Sequence, residues 1–203
     1  IQPVWRADKP QKGRYREFYQ CDVDVIGSNS LLNETELIQI IEEIFRKLGI
    51  RILIKINNRK ILAGIAESIG EKEHLTGITT SLDKLEKTGK EAVVNELRQR
   101  GISPSAIERI SPLFDLRGDY RTKLKYLHPM LAGSAPGMEG LQEIETLFDL
   151  LEVVKPEAEI IWDILLARGL DYYTGTIIEV IASSLPIGSL CGGGRYDDLA
   201  GIF

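Results

Sequence analysis

The stretch IIWDILLARGLDYYTGTIIEVIA, residues 160–182, decides the fold of this chain of 203 residues. Both of its ends are apolar and rich in isoleucine, and this pattern predicts two buried strands. Between them, RGLDYYTG (168–175) contains an arginine, an acid and two tyrosines. A rigid scaffold often presents binding residues at strand ends, so this segment is a candidate site. A structural role stays open, because Arg168 could pair with Asp171 and the tyrosines could be core rings.

The residues upstream of these strands show helical spacing over the long range 59–154. Gly101 interrupts the pattern and Ser103-Pro104 restarts it, as expected at a helix end and a helix start. We interpret this range as a helical insertion region. It separates residues 155–203 from an earlier β segment within residues 1–58. Both β portions are expected to belong to one sheet of an α+β fold, which would bring residues near 20 and near 170 together.

Two short patterns predict the elements that precede the insertion. NETE (33–36) has the form of a capping box with Asn33 as the N-cap, so it predicts the start of an amphipathic helix. RILIKIN (51–57) predicts a strand, and Asn57-Asn58 predicts a turn after it.

The first residues of the chain predict a β-hairpin, with PVWRAD (3–8) as one strand and RYREFYQCDVDVIG (14–27) as a long second strand. Alternation along the second strand gives one apolar face, formed by Tyr15, Tyr19, Cys21, Val23 and Val25. The opposite face carries Arg14, Arg16, Phe18, Gln20, Asp22 and Asp24. This polar face is either a solvated sheet surface or the floor of a polar pocket.

Three arginines, Arg6, Arg14 and Arg16, lie on the two arms of the predicted hairpin. The planar guanidinium group presents a fork of donors that suits phosphate oxygens, so a nucleotide site is one interpretation. Pairing with neighbouring carboxylates at the surface is the other. The residue pattern alone leaves the two interpretations even.

The segment CGGGRYDD (191–198) contains three consecutive glycines. Such glycines permit the backbone to approach a ligand or another strand closely. The spacing fits neither a P-loop nor a dinucleotide-binding fingerprint. Taken alone, the segment predicts a turn.

Composition and charge limit the classes of function. Hydrophobic residues make up 43% and charged residues 27%, as in soluble globular proteins, and the net charge of −5 gives no overall basic field for nucleic acid. Two cysteines do not form a disulfide framework, and Cys21 is predicted to be a small buried thiol in a reducing cytosol. His74 and His128 lack partners at ligand spacing, so no metal site is expected within the chain. No apolar run approaches the roughly 20 residues of a membrane span.

Three segments resemble one known family. KPQKGRYREFYQCDVDVIG (9–27), with VWRAD (4–8) as its opening arm, is similar to motif 2 of class II aminoacyl-tRNA synthetases in the version of the histidyl-tRNA synthetases. RGLDYYTG and CGGGRYDDL (191–199) resemble the two histidine-specific motifs of that family. The resemblance implies an antiparallel six-stranded catalytic sheet flanked by helices, with a helical insertion. Motifs 1 and 3 would lie outside residues 1–203, so we expect a catalytic core that is truncated at both ends and weak or inactive alone.

The resemblance implies an ATP site that is built mainly from arginines. Arg6 would hold the α-phosphate of ATP and the histidine carboxylate, and Asp8 would lie at the adenine side. Arg14 would face the triphosphate. Arg168 would be the catalytic arginine and would contact the α-phosphate from the side opposite Arg6.

A histidine site is implied by the same resemblance. Gln20 would bind the α-amino group, and Arg168 and Tyr172 would contribute to the pocket. Asp24 and Tyr173 would bind the imidazole ring, which suits an acid and a phenol because one ring nitrogen donates a hydrogen bond and the other accepts one.

The activity that the resemblance implies is activation of L-histidine by ATP with Mg²⁺, followed by transfer to tRNA(His), in a cytoplasmic homodimer without membrane contact. One alternative is a synthetase-like regulatory subunit of histidine biosynthesis, which binds histidine without catalysis. Arg6 and Arg168 argue against this alternative, because a protein that only binds histidine does not need two arginines directed at a phosphate. A structural or RNA-docking domain is the other alternative, and the net charge of −5 disfavours it.

Overall fold

The computed structural model of the protein describes residues 1–7, 9–10, 15–167, 172–184, 188–197 and 201. Within these ranges the chain is α+β and no helix has the length and apolar character to cross a membrane. In chain order the elements are β1 (Gln2–Trp5), β2 (Glu17–Gln20), α1 (Leu32–Lys47), β3 (Ile52–Asn58), α2 (Arg59–Ser68), α3 (Leu75–Leu82), α4 (Leu85–Thr88), α5 (Lys90–Gln99), α6 (Pro104–Ile110), α7 (Tyr120–Leu131), α8 (Ala135–Val154), β4 (Glu159–Trp162), β5 (Thr176–Ala182) and β6 (Cys191–Gly194). Two short 3₁₀ turns cover Lys72–His74 and Ser111–Asp115.

Four of the described strands form one sheet in the order β4-β3-β5-β6. β3 pairs antiparallel with β5 along its whole length, and β5 pairs antiparallel with β6. β4 is parallel to β3, which is possible because the helices between them provide the long crossover that a parallel pair requires. The prediction that both β portions share a sheet is therefore confirmed for β3 of the first portion. β1 and β2 form a separate antiparallel hairpin, so the described strands do not make one six-stranded antiparallel sheet.

Helices cover the sheet and share its core. Ile54 and Ile56 of β3 belong to one buried cluster with Ile65 of α2 and Ile144 of α8, and all four are at most 1% exposed. Burial of one such side chain contributes about 1.5–3 kcal/mol, so this shared core holds the helical region firmly on the sheet. The division of the chain into residues 1–58, 59–154 and 155–203 stays a prediction.

Two glycines bring α2 and α8 into close contact. A Cβ atom added to Gly64 of α2 would lie 2.5 Å from the Cα atom of Gly137 in α8. Real Cβ atoms do not approach backbone atoms this closely, so only glycine fits at this crossing. α8, which also contacts β3, is thereby held against α2.

The second hairpin strand is much shorter than the sequence predicts. β2 covers only Glu17–Gln20, and residues 21–27 contain no strand. β1 likewise ends at Trp5. The predicted apolar face is exposed, with Tyr19 at 76% exposure, and Cys21 is exposed rather than buried. Alternation predicts which residues share a face, but a strand also needs a paired neighbour, and no described strand pairs with residues 21–27.

Asn33 is not the N-cap that the NETE pattern predicts. α1 begins at Leu32, its N-cap is Leu31, and no side chain caps it. The Asn33 amide instead donates to the carbonyl oxygen of Ser28 at 3.0 Å. Because the helix already begins at Leu32, Asn33 lies within its first turn and cannot be the residue that precedes it.

The predicted turn at Asn57 and Asn58 is wrong as well, because both residues belong to β3. Asn58 is the N-cap of α2, and its side-chain oxygen accepts from the backbone N–H of Lys60 at 2.9 Å. Asn57 donates to the carbonyls of Ile164 at 3.1 Å and Leu166 at 2.9 Å. The carbonyls of Ile164 and Leu166 thus accept hydrogen bonds from a side chain and not from a neighbouring strand. This agrees with the end of β4 at Trp162, earlier than the sequence predicts.

Candidate active site

Five of the eight predicted site residues are described by the structure, and they form two clusters. Arg6 and Gln20 meet on the hairpin, whereas Asp24, Tyr172 and Tyr173 lie beside the glycine-rich strand β6. The other three predicted residues lie outside the described parts of the chain: Asp8, Arg14 and Arg168.

The hairpin cluster is a chain of polar side chains that begins at Arg6. The backbone N–H of Arg6 donates to the carbonyl of Arg16 at 2.9 Å and extends the β1–β2 pairing by one residue. Its guanidinium donates to Gln20 Oε1 at 2.5 Å, and Gln20 Nε2 donates to Asp22 Oδ1 at 2.7 Å. The guanidinium carbon also lies 5.3 Å from the centre of the Phe18 ring. Arg6 and the Gln20 amide therefore have fixed orientations on one face of the hairpin.

A carboxylate and three phenol rings form the second cluster. The Tyr196 hydroxyl donates to Asp24 Oδ1 at 2.6 Å. The ring of Tyr172 meets that of Tyr173 edge-on at 4.8 Å between centres, and that of Tyr196 at 6.4 Å. Edge-on contacts of this kind are favourable for aromatic rings. The cluster thus joins residues from the ends of three separate chain segments.

Both phenols next to Asp24 have raised pKa values. Burial, followed by the neighbouring Tyr172 and the charge of Asp24, raises the pKa of Tyr173 to about 12. The hydrogen bond to Asp24, followed by burial, raises the pKa of Tyr196 to about 12. Both hydroxyls therefore stay protonated at neutral pH and can act as hydrogen-bond donors.

The glycine triplet forms strand β6 and not the turn that the sequence alone predicts. A Cβ atom on Gly194 would lie 2.8 Å from the Thr176 carbonyl oxygen and 2.9 Å from the Tyr173 ring. Glycine is thus required at position 194 for the Tyr173 ring to lie this close to β6. Burial raises the pKa of the Cys191 thiol in the same strand, with a smaller contribution from the charge of Asp22.

Backbone and side-chain bonds hold the segment around Thr174 beside the segment that follows β6. The backbone N–H of Thr174 donates to the Arg195 carbonyl at 2.8 Å, and the N–H of Arg195 donates to the Thr176 carbonyl at 2.8 Å. The Thr174 hydroxyl donates to the Asp197 carboxylate and accepts from its N–H at 3.1 Å. The two segments therefore carry Tyr173 and Tyr196 as one unit.

Arg195 is an important residue to which the sequence analysis gave no role. Its guanidinium donates to both carboxylate oxygens of Glu34, at 2.7 and 2.8 Å, and the side chains are only 11% and 7% exposed. This two-point pair links the end of β6 to the first turn of α1. Arg195 is therefore a structural anchor of the site.

We expect Glu34→Gln to lower the free energy of unfolding by about 1–2 kcal/mol, because a buried guanidinium loses its counter-charge while one oxygen acceptor remains. Asp197, at 3.6 Å from Arg195, limits the loss. Urea denaturation followed by circular dichroism measures the change. Glu43→Gln is the matched control in the same helix, since Glu43 forms an exposed ion pair with Arg46. Equal loss in both variants would contradict the anchoring role.

Comparison with known proteins assigns this arrangement to a family. A family model described as histidyl-tRNA synthetase matches residues 1–203. The chain belongs to the histidyl-tRNA synthetase family. Among curated relatives, the histidine–tRNA ligase of Porphyromonas gingivalis is 58% identical over 203 residues, which are 100% of this chain and 45% of that protein. The histidine–tRNA ligase of Azobacteroides pseudotrichonymphae is also 58% identical, and this chain covers 44% of it.

Solved structures of the family share the fold. A histidyl-tRNA synthetase from Nostoc sp. PCC 7120 superposes with a TM-score of 0.88 at 34% identity, over 99% of this chain and 47% of that one. A Bacillus halodurans protein described as an ATP phosphoribosyltransferase regulatory subunit/histidyl-tRNA synthetase has a TM-score of 0.81 at 22% identity, which shows a shared fold only. The chain spans about 45% of the length of the curated relatives that it matches.

Proposed function

We propose that the protein containing this chain is a histidine–tRNA ligase, which activates L-histidine with Mg²⁺-ATP and transfers it to tRNA(His). The observation that carries the proposal is 58% identity, over all 203 residues, to a histidine–tRNA ligase. The reaction needs no side-chain nucleophile. A histidine carboxylate oxygen attacks the α-phosphorus, the bond to the bridging oxygen breaks, and pyrophosphate leaves.

The cluster around Asp24 has the chemistry to bind an imidazole ring. A neutral imidazole carries one N–H donor and one nitrogen acceptor. The Asp24 carboxylate can accept from the first, and the Tyr173 hydroxyl, whose pKa is about 12, can donate to the second. Asp24 also contributes to the raised pKa of Tyr173, as expected if the two groups face the same space. Gln20 is proposed to bind the α-amino group, with Tyr172 as a wall of the pocket.

Arg6 is proposed to hold the α-phosphate and the histidine carboxylate. A guanidinium fixed in advance by Gln20 and Phe18 would stabilise charge on the phosphoryl oxygens without reorganising during the reaction. Arg168 is proposed to act from the opposite side, and Asp8 and Arg14 to contact the adenine side and the triphosphate. Mg²⁺ would enter with the ATP phosphates as part of the substrate.

Four broader proposals accompany this function. The protein is proposed to act in the cytoplasm and to form a homodimer. Residues 1–58 and 155–203 are proposed to be two parts of the catalytic sheet, with 59–154 as the helical insertion region between them. The short chain by itself is proposed to have weak activity or none.

Amino-acid-dependent exchange of labelled pyrophosphate into ATP tests the proposal. We expect the complete protein encoded by the reading frame to exchange with histidine and with no other amino acid of a full panel. Histidine binding without exchange would favour a histidine-binding regulatory subunit instead. The isolated 203 residues are the second sample, and robust exchange by them would refute the proposal that the short chain is weak or inactive.

A further inference from the structure

We propose that Tyr196 is a positioning residue that orients the Asp24 carboxylate for imidazole recognition. This inference rests on the proposed function, since it assigns Asp24 to the histidine ring. It gives a role to Tyr196, a residue of the segment CGGGRYDDL that was not among the predicted site residues. The contact that carries it is the hydrogen bond from the Tyr196 hydroxyl to Asp24 Oδ1 at 2.6 Å, between residues 172 positions apart in sequence.

Asp24 needs such a partner because its backbone lies outside any strand. β2 ends at Gln20, and Asp24 is exposed in the irregular stretch that follows. An exposed aspartate on irregular backbone can rotate about both side-chain torsions. A bond from Tyr196 to one carboxylate oxygen holds the plane of the group and leaves the second oxygen to accept the ring N–H.

Tyr196 is well placed for this task because both of its chain neighbours are anchored. Arg195 is held by Glu34 through two bonds and by the Thr176 carbonyl through its backbone. Asp197 is bonded to Thr174. Fixed neighbours limit the freedom of the Tyr196 ring, and a preorganised donor costs little entropy when the substrate binds.

The contact of Tyr196 with Tyr172 connects the same ring to the other side of the pocket. The two rings meet at 90°, and Tyr172 in turn meets Tyr173. Three tyrosine rings therefore connect Asp24, which would accept from the imidazole N–H, with the Tyr173 hydroxyl, which would donate to the other ring nitrogen. Loss of the Tyr196 hydroxyl alone would leave these ring contacts in place.

The experiment measures histidine-dependent pyrophosphate exchange in the complete protein with Tyr196→Phe. A hydrogen bond to a charged group corresponds to about a 10–100-fold effect, so we expect the KM for histidine to rise by about that factor. The KM for ATP and kcat should change little, because the hydroxyl is bonded to Asp24, which is proposed to bind the imidazole ring and not the phosphates. Tyr126→Phe is the matched control, since Tyr126 lies on α7 and the residue is 42% exposed. An unchanged KM for histidine in Tyr196→Phe would overturn the inference.

A double-mutant cycle with Asp24→Asn separates positioning from direct contact. If Tyr196 acts through Asp24, Tyr196→Phe should raise the KM no further on the Asp24→Asn background. If the double variant instead raises the KM for histidine by the product of the two single factors, the hydroxyl binds the substrate itself, and the inference is overturned. If Tyr196→Phe fails to fold, Asp24→Asn alone still tests the inference. An unchanged KM for histidine in Asp24→Asn would show that the hydrogen-bonded pair of Asp24 and Tyr196 has no role in imidazole recognition.

The activity of the unmodified protein keeps the two proposals distinguishable. Absence of histidine-dependent exchange in the unmodified protein contradicts the proposed function. Exchange in the unmodified protein together with an unaltered Tyr196→Phe variant contradicts only the positioning role.

Discussion

Arg6→Ala is expected to lower kcat for histidine-dependent pyrophosphate exchange by about 10²–10³-fold, the usual cost of removing one preorganised group that stabilises transition-state charge. The guanidinium is fixed by Gln20 at 2.5 Å and lies over the Phe18 ring, so its charge is in place before substrate binds. Alanine removes the charge and also releases the Gln20 amide. Steady-state exchange at saturating ATP and histidine measures the effect.

Two further variants sharpen this test. Arg6→Lys keeps the charge but loses the planar fork, so its kcat should lie between those of the alanine variant and the unmodified protein. Arg98→Ala removes an exposed arginine of α5 and serves as the matched control. A kcat for Arg6→Ala equal to that of the control would show that Arg6 does not act on the phosphate.

Much of the secondary structure follows from local sequence patterns. RILIKIN and TIIEVIA predict β3 and β5, and the Ser103-Pro104 pair predicts the start of α6, where Ser103 accepts from the N–H of Ala106. Each of these signals depends only on neighbouring residues. The capping prediction at Asn33 is wrong because α1 begins at Leu32, one residue before Asn33, and the NETE pattern does not fix the residue at which the helix starts.

The long-range contacts of the candidate site cannot be read from local patterns. Arg195 and Glu34 are 161 residues apart, and nothing near either residue indicates the other as its partner. The glycine triplet illustrates the same limit. Its sequence permits a turn or a strand, and pairing with β5 makes it a strand. The nearby Thr176 carbonyl and Tyr173 ring then make glycine necessary at Gly194. The family motifs indicate the segments, whereas the fold determines which side chains meet.

The short β2 strand shows a related limit for the site. The alternating pattern correctly places Gln20 and Asp22 together, since the two side chains are hydrogen-bonded at 2.7 Å. It does not predict that the strand ends at Gln20, because pairing depends on the partner strand β1, which begins at Gln2, the residue opposite Gln20. Asp24 therefore obtains its orientation from Tyr196 and not from a sheet.

Gly64→Ala is expected to lower the free energy of unfolding by about 3 kcal/mol, at the upper end of the range for overpacked cores. The added methyl would lie 2.5 Å from the Gly137 Cα and 3.1 Å from its nitrogen, which are backbone atoms of a buried helix. Unlike a flexible side chain, this backbone can yield only if α8 moves. Alanine also favours the helix by about 1 kcal/mol over glycine, so the measured loss is the steric cost reduced by that amount.

Gly77→Ala is the matched control for this substitution. Gly77 also lies inside a helix, α3, but the nearest atoms to its added Cβ belong to the Arg100 side chain, at 3.6 and 3.9 Å. These are ordinary contacts, so this variant should be unchanged or more stable by up to about 1 kcal/mol. Urea denaturation followed by the fluorescence of Trp162, which is 2% exposed, reports both variants. Equal stability of Gly64→Ala and Gly77→Ala would mean that α2 and α8 can separate without cost, so that their crossing does not require glycine.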